Sequence, residues 1–330
     1  MLDRTSQEAG NASLKSAQAR YAAYAAGRCG YVFRSLDGAD GYLFEVQDRD
    51  RRAVFAAGAG TPYALNDARA ASIARDKAFC AEVLRRRGLR VLPGEMFFVT
   101  KRWADMRAPG REPEDALAYA ARAAYPIFCK PLSASNGLYA ELIESADAFS
   151  DYMTRVSREH FAVLIQPYVR GDEYRVFVLE GRALFSYRKS VPHLLGDGAS
   201  TLKALIEAMA RDPLEPVRKL HGRDADGQRV GLDDVPKRGE RIVLEGPANR
   251  AAGGGSDTLI DGAPAAMAEL AIKAAESLSL TLAAIDMFDV GGELVVIEAN
   301  SNPMIATLED HGRWDLIETI WRANFAAALK

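Results

Sequence analysis

Residues 291–310 read GGELVVIEANSNPMIATLED. The apolar run Leu294, Val295, Val296, Ile297 has the pattern of a strand entering a core, yet it ends by delivering Glu298 and Asn300. Side chains alternate across a strand, so these two polar residues, with small Ala299 between them, project from one face. The preceding stretch, TLAAIDMFDV (281–290), reads as a second apolar strand carrying Asp286, joined to the first by a turn with two glycines. A three-residue loop centred on Gly292 puts Asp286 directly opposite Glu298. A two-residue Gly-Gly turn shifts the pairing by one and sends Asp286 to the wrong face. In the first register two carboxylates and an amide oxygen share a patch, a hard-oxygen donor set of the kind Mg2+ takes and shares with phosphates. The alternative is that Asp286 and Glu298 cap strand ends in water. Asp289 and Glu293, nearer the turn, are expected to be solvated.

A magnesium ion of this kind calls for a nucleotide, hence for lysines and a small-residue loop. Lys130 ends the apolar strand YPIFCK and is followed by Pro131 and LSASNG (132–137), a position suited to a phosphate contact. Lys77 lies in ARDKAFC, inside a helix expected to start near Ala68 and to run to Gly88. Taken singly, each lysine also reads as a surface residue. The chain has no Walker-type glycine-lysine motif, so a P-loop is not the phosphate site.

With 330 residues the chain can build two or more packed layers and more than one subdomain. A formal charge of −3 gives no basis for nucleic acid as a partner. The cysteines Cys29, Cys80 and Cys129 are odd in number and far apart, which suits neither a disulfide framework nor a Cys-x-x-Cys metal site. Each is expected to be a small buried hydrophobe. The N-terminus is polar, without a signal-peptide pattern, and no stretch approaches the roughly 18 apolar residues of a membrane span. A cytoplasmic location is expected, with no membrane partner.

Local patterns predict a helix over 12–26 stopped by Gly27, strands over 41–46 and 52–58, and the long helix over 68–88. A hairpin is expected around Gly181, a mostly helical excursion over about 200–245, and a helix over 265–278. Strands follow one another too often for a doubly wound sheet, so the class is α+β.

Taken in order, the pieces resemble an ATP-grasp enzyme. RDKAFCAEVLRRRGLRVLPGEMF (75–97) is similar to the family's first lysine helix and the strand after it. YPIFCKPLSASNG (125–137) is similar to its second lysine strand and phosphate loop. VLIQPYVRGDEYRVFVLEGRALFSYRK (163–189) resembles the adenine hinge and its following strand pair, and IEANSNP (297–303) the metal-binding end. Two further stretches, LLGDGASTLKALIE (194–207) and LEGPANRAAGGGSDTLID (244–261), resemble the branch of cyanophycin synthetase and of the glutathione synthetase part of the bifunctional glutathione enzyme. The likeness covers roughly residues 70–303.

The resemblance implies two α+β lobes gripping ATP, a short N-terminal α/β segment over 1–70, lobes over 71–165 and 166–330, and the excursion inserted in the second. It implies an ADP-forming carboxylate–amine ligase that passes through an acyl phosphate and makes an amide between amino acids or short peptides. Two Mg2+ ions are implied, with Mn2+ as a substitute, held by Asp286, Glu298 and Asn300. Lys77, Lys130 and the loop residues Ser135, Asn136 and Gly137 would meet phosphates. The backbone of Gln166, Pro167, Tyr168 and Val169 would read adenine, and Glu173 would lie near the ribose. Arg175, with Arg188 or Lys189, would sit at the transferred phosphoryl group, and Asn249 and Gly254 would hold the acyl phosphate. A kinase on the same fold and a silent nucleotide-binding module are the competing readings.

Four features depart from the family. Gly137 is followed by Leu138 and Tyr139 where a second glycine is usual, and Tyr139 is expected to restrict the backbone there. Gln166 stands where an acidic residue is common. Lys189 falls where the branch has an arginine, with Arg188 adjacent, and the two cations are not equivalent clamps. The N-terminal segment is short, so a second subunit is expected to supply missing substrate walls. Arg211, Arg218, Lys219 and Arg223 either receive an acidic substrate or solvate a helix surface, and His193, His221 and His311 have no partners at metal spacing.

Overall fold

Ser16 starts the first helix, α1 (Ala17–Cys29), by accepting a hydrogen bond from the Ala19 N–H on its hydroxyl. The helix runs through the expected stop at Gly27 and ends at Gly30, whose φ of 75° lets its N–H turn back to the Ala26 and Gly27 carbonyls. This computed structural model describes residues 14–58, 60–134, 137–190, 192–209, 221–245 and 255–330. Strands β1 (Val32–Ser35), β2 (Leu43–Asp48) and β3 (Arg51–Ala56) form an antiparallel sheet that buries Phe33, Phe44, Val46 and Phe55 on one side.

The helix expected over 68–88 is two helices, α2 (Ala68–Arg75) and α3 (Lys77–Arg86). Asp76 breaks it: its backbone is extended (φ −86°, ψ 112°) and its carboxylate accepts the Ala78 and Phe79 N–H groups. An aspartate offers the backbone this alternative to helix, so it caps rather than continues. Lys77 therefore occupies the first position of a new helix.

Next come β4 (Glu95–Phe98), α4 (Pro113–Ala120), β5 (Ile127–Pro131), β6 (Glu141–Ile143), α5 (Ala146–Val156) and β7 (Ala162–Pro167). Their antiparallel sheet has the order β4-β7-β5-β6. One face packs Phe97, Cys129, Ile143 and Ile165 against Phe149, Tyr152 and Val156 of α5. On the other, Leu132 and Leu164 meet Ala78 of α3.

The central sheet begins with β8 (Asp172–Leu179) and β9 (Arg182–Ser190), a hairpin turning at Glu180 and Gly181, both left-handed (φ 50° and 72°). The excursion follows: β10 (His193–Leu195), α6 (Leu202–Met209), β11 (His221–Arg223), β12 (Arg229–Val230) and β13 (Arg241–Glu245). Among the described residues it is one helix against a four-stranded sheet, β10-β13-β11-β12, and so differs from the mostly helical expectation. Among its described residues α6 alone carries a helical repeat, burying Leu202 and Ile206 on Ile242 and Leu244, whereas the strands are defined by pairing partners distant in sequence. Arg211, Arg218 and Lys219 lie outside the described residues.

Then come β14 (Gly255–Ser256), β15 (Ile260–Asp261), α7 (Ala265–Ser277), β16 (Leu282–Val290), β17 (Glu293–Asn300), α8 (Ala306–Asp310) and α9 (Trp314–Ala328). The central sheet has the order β14-β9-β8-β16-β17, all neighbours antiparallel, with β15 also on β9. One face, with Val176, Val178, Ala283 and Ile285, packs on α7 and on Cys80 and Leu84 of α3. The other changes character along its length. Phe177, Phe185, Tyr187, Leu282 and Ala284 lie in one apolar cluster with α1, the β1–β3 sheet and α9, while the next residues of that face on β8 and β16, Arg175 and Asp286, lie beyond that cluster.

The cover is aromatic and tightly sewn. Trp321 is fully buried against Phe44, Phe55, Tyr63 and Phe325. Asn66 accepts the Thr281 and Leu282 N–H groups and donates to the Leu282 and Ser301 carbonyls, fastening the N-terminal segment to β16 and to the chain just after β17. No helix of the described residues is long and apolar enough to cross a membrane.

Trp321→Ala is expected to cost about 3–5 kcal/mol, read as a lower urea midpoint. Burial pushes the Cys80 thiol up to about 11 and raises Cys129 as well. Both thiols therefore stay protonated at pH 8, and native protein should alkylate there far more slowly than urea-unfolded protein. Because the folded thiol pKa lies above the unfolded one, Cys80's contribution to stability holds below about pH 9 and declines as the pH rises toward 11.

Candidate functional site

Three strands set one row. Arg175 on β8 stands opposite Asp286 on β16, and Asp286 stands opposite Glu298 on β17. Antiparallel partners share a face, so all three side chains project together, with Asn300 two residues further along β17. The turn that delivers this register differs from the expected one. Val290 pairs with Glu293, so Gly291 and Gly292 alone make the turn, both left-handed (φ 63° and 89°). A bulge at Ile297 restores the face: Met287 pairs with Val296, but Asp286 pairs with Glu298. One extra residue returns the side-chain parity that the short turn removed.

Asp286 is 1% exposed. Arg175 grips it in two places, Nε to Oδ1 and Nη2 to Oδ2, both at 2.7 Å. Lys189 donates to Oδ2 at 2.9 Å and also to Glu173 Oε1. Burial alone would raise the Asp286 carboxyl, but Arg175 and Lys189 hold it well below the usual carboxylate range. Glu173 is the opposite case, since burial outweighs its contact with Lys189 and lifts it. Burial disfavours charge on Lys189 too, yet Asp286 and Glu173 keep its ammonium above the ordinary lysine range.

Glu298 faces a second pair of cations. Lys77 Nζ lies 3.6 Å from Glu298 Oε2 and donates to the Ala134 carbonyl at 3.0 Å, tying the start of α3 to the loop after β5. Lys130 is buried at 7% exposure; burial pulls its ammonium below the usual range, and Glu298 is the strongest influence opposing that. Burial resists ionisation of Glu298, but Lys77 and Lys130 hold it below the ordinary glutamate value. Asn300 donates Nδ2 to Glu298 Oε1 at 3.5 Å. Among the described residues no three His, Cys, Asp or Glu side chains are grouped to hold a metal unaided. Two carboxylates and one amide oxygen on one face fit Mg2+ bound jointly with phosphate oxygens, which would complete its shell.

The remaining positions separate into those near this patch and those elsewhere. Gln166 is buried at the end of β7, Pro167 is exposed, and the Tyr168 N–H donates to the Pro126 carbonyl, so 166–169 run from the end of β7 toward β8. Gly137 is left-handed (φ 73°), and so is Tyr139 (φ 54°). Tyr139 therefore adopts the conformation it was expected to resist. Its hydroxyl donates to Glu159 at 2.6 Å, and its carbonyl accepts from Tyr152 at 3.0 Å, which offsets a strain of about 1–3 kcal/mol. Arg188 points away from the patch, to Asp172 and Asp257 on the opposite face, so Lys189 is the cation that reaches Asp286. Ser135, Asn136, Asn249 and Gly254 lie outside the described residues. His311, given no role from sequence, contacts Ser256 Oγ through Nε2 at 3.0 Å, and Ser256 lies beside Lys189 in the β14–β9 pairing. A contact between residues 55 positions apart leaves no local pattern to read.

Residues 253–323, a stretch that contains Asp286, Glu298 and Asn300, match the model of the RimK-like ATP-grasp domain. The glutathione biosynthesis bifunctional protein GshAB of Enterococcus faecalis is 27% identical over 256 residues, 70% of this chain and 32% of that protein. The cyanophycin synthetase of Trichormus variabilis is 26% identical over 216 residues, 58% of this chain and 23% of that protein. A solved bifunctional glutathione synthetase from Pasteurella multocida aligns with 87% of this chain and 41% of its own, with a TM-score of 0.46 and 18% identity. The chain thus spans a quarter to a third of the length of the curated relatives it matches. Residues 253–323 are similar to a RimK-like ATP-grasp domain, and the α+β class and the similarity to the glutathione and cyanophycin enzymes are as read from the motifs.

Removing one member of a buried ion pair leaves the other charge without its partner. Arg175→Met should lower stability by about 3 kcal/mol in the absence of ligands, and Arg175→Lys should recover only part of it, because a lysine cannot bond both oxygens of Asp286 side by side. Denaturation midpoints of the three proteins measure this directly.

Proposed function

We propose that this protein is an ATP-dependent carboxylate–amine ligase that activates a carboxylate as an acyl phosphate, releases ADP, and lets an amine displace phosphate to form an amide. The observation that carries the reading is the row Arg175–Asp286–Glu298 across three strands, with Lys77, Lys130 and Lys189 converging on its carboxylates from α3, β5 and β9. Such a patch has no use in packing. Buried charges are retained at a cost in desolvation, and here they come from both lobes.

In this reading Lys77 and Lys130 bind the phosphates, and Arg175 and Lys189 offset charge that develops on the transferring phosphoryl group. Glu173 keeps Lys189 in place and lies next to the ribose, while the backbone of 166–169 reads adenine. Asp286, Glu298 and Asn300 would hold magnesium, which when bound neutralises phosphate charge. The tyrosine-anchored turn at 137–139 fixes the exit of the phosphate loop, and Asn249 and Gly254 are assigned to the acyl phosphate. The substrates are amino acids or a short peptide. A cytoplasmic location and a homodimer that completes the substrate walls belong to the same proposal.

Incubating the protein with Mg-ATP, pooled amino acids and hydroxylamine should yield ADP together with a hydroxamate whose mass names the activated carboxylate. ADP with a phosphorylated compound instead would mean a kinase. Glu298→Ala should lower turnover by about a thousandfold. Undiminished turnover in that variant would remove Glu298 from the metal site.

A further inference from the structure

The carboxylates of the patch are already occupied by the protein's own cations. A carboxylate presents about four lone-pair positions. Three of those on Asp286 are filled: one on Oδ1 by Arg175, and two on Oδ2 by Arg175 and Lys189. A bare metal ion approaching the last position would stand beside a guanidinium and an ammonium, in a place only 1% exposed where water screens poorly. Glu298 offers no easier entry, because Lys77 is 3.6 Å away and Asn300 turns its donor Nδ2 toward it. With Lys130 counted, the four cations outnumber Glu173, Asp286 and Glu298 by one formal charge.

Resting on the nucleotide-binding reading above, we propose that the free site excludes a bare divalent cation and admits the metal only together with the nucleotide. The phosphates supply the anions that draw Arg175 and Lys189 away from Asp286, and the freed carboxylate oxygens become available to the metal. The same two cations thus serve as counter-ions to Asp286 in the empty site and as phosphate ligands in the filled one. Metal and nucleotide are coupled through this exchange of partners, and the coupling is reciprocal.

Mn2+ makes the exchange measurable without turnover, because only free Mn2+ gives its sharp paramagnetic resonance signal. Full-length protein titrated with Mn2+ alone should leave the signal intact. Adding a non-hydrolysable ATP analogue should remove Mn2+ beyond what the nucleotide binds by itself. Arg175→Gln and Lys189→Gln, each lacking one competing cation, should bind Mn2+ without nucleotide about tenfold or more tighter than wild type. Wild-type protein that binds Mn2+ equally well with and without nucleotide would overturn the proposal, and so would variants that gain nothing. The wild-type comparison stands even if one variant does not fold. Binding of a fluorescent ADP derivative, followed in EDTA and in Mg2+, separates the two levels: no binding in either condition would overturn the nucleotide reading itself.

Discussion

The twofold grip of Arg175 on Asp286 is the constraint around which the central sheet is organised. It requires β8 and β16 to be neighbours in one register, so that a guanidinium and a carboxylate meet edge to edge at 2.7 Å inside a nearly dry site. Any slip of one residue would bury both charges without partners, at a cost far above that of a lost apolar contact. The pair thus discriminates against wrong registers while it prepares the site. Lys189, two residues beyond the Tyr187 that stands opposite Arg175, extends the same logic to β9, and Glu298 to β17, so charged contacts index four adjacent strands to each other.

The apolar half of that sheet face is closed by parts from both ends of the described chain. Helices α1 and α9 and the small β1–β3 sheet lie on Phe177, Phe185 and Leu282, and Asn66 stitches the cover to the strand that carries Asp286. The polar half begins where the cover stops. Position along a strand, rather than a separate pocket-forming element, decides which residues are core and which are chemistry.

Much of the site was legible in the sequence because strand parity is a local signal. Glu298 and Asn300 share a face whatever the partner strand does, and an apolar run ending in acids is visible at once. Registers and breaks were less legible. A three-residue loop was expected because a two-residue Gly-Gly turn alone would send Asp286 to the far face, and nothing in LVVIEAN marks Ile297 as the extra residue that restores it. The helical spacing continues through Asp76 and hides the break before Lys77. The choice between Arg188 and Lys189 rested on which face of β9 meets Asp286, a matter of pairing with β8. The excursion was misjudged for the same reason, because its strands are short and find partners far along the chain.

The bulge at Ile297 divides one strand into two independent frames. Residues 293–296 follow the frame of the hairpin tip, and residues 298–300 follow the frame of the charged row. A change of one residue in the tip therefore reaches only as far as the bulge, provided the bulge is lost or gained with it. When this hairpin is aligned with a relative whose turn is one residue longer, the compensating gap belongs at Ile297, several positions from the visible length difference. An alignment that places it at the turn alone would set Glu298 against its neighbour and make a shared metal ligand look like a substitution.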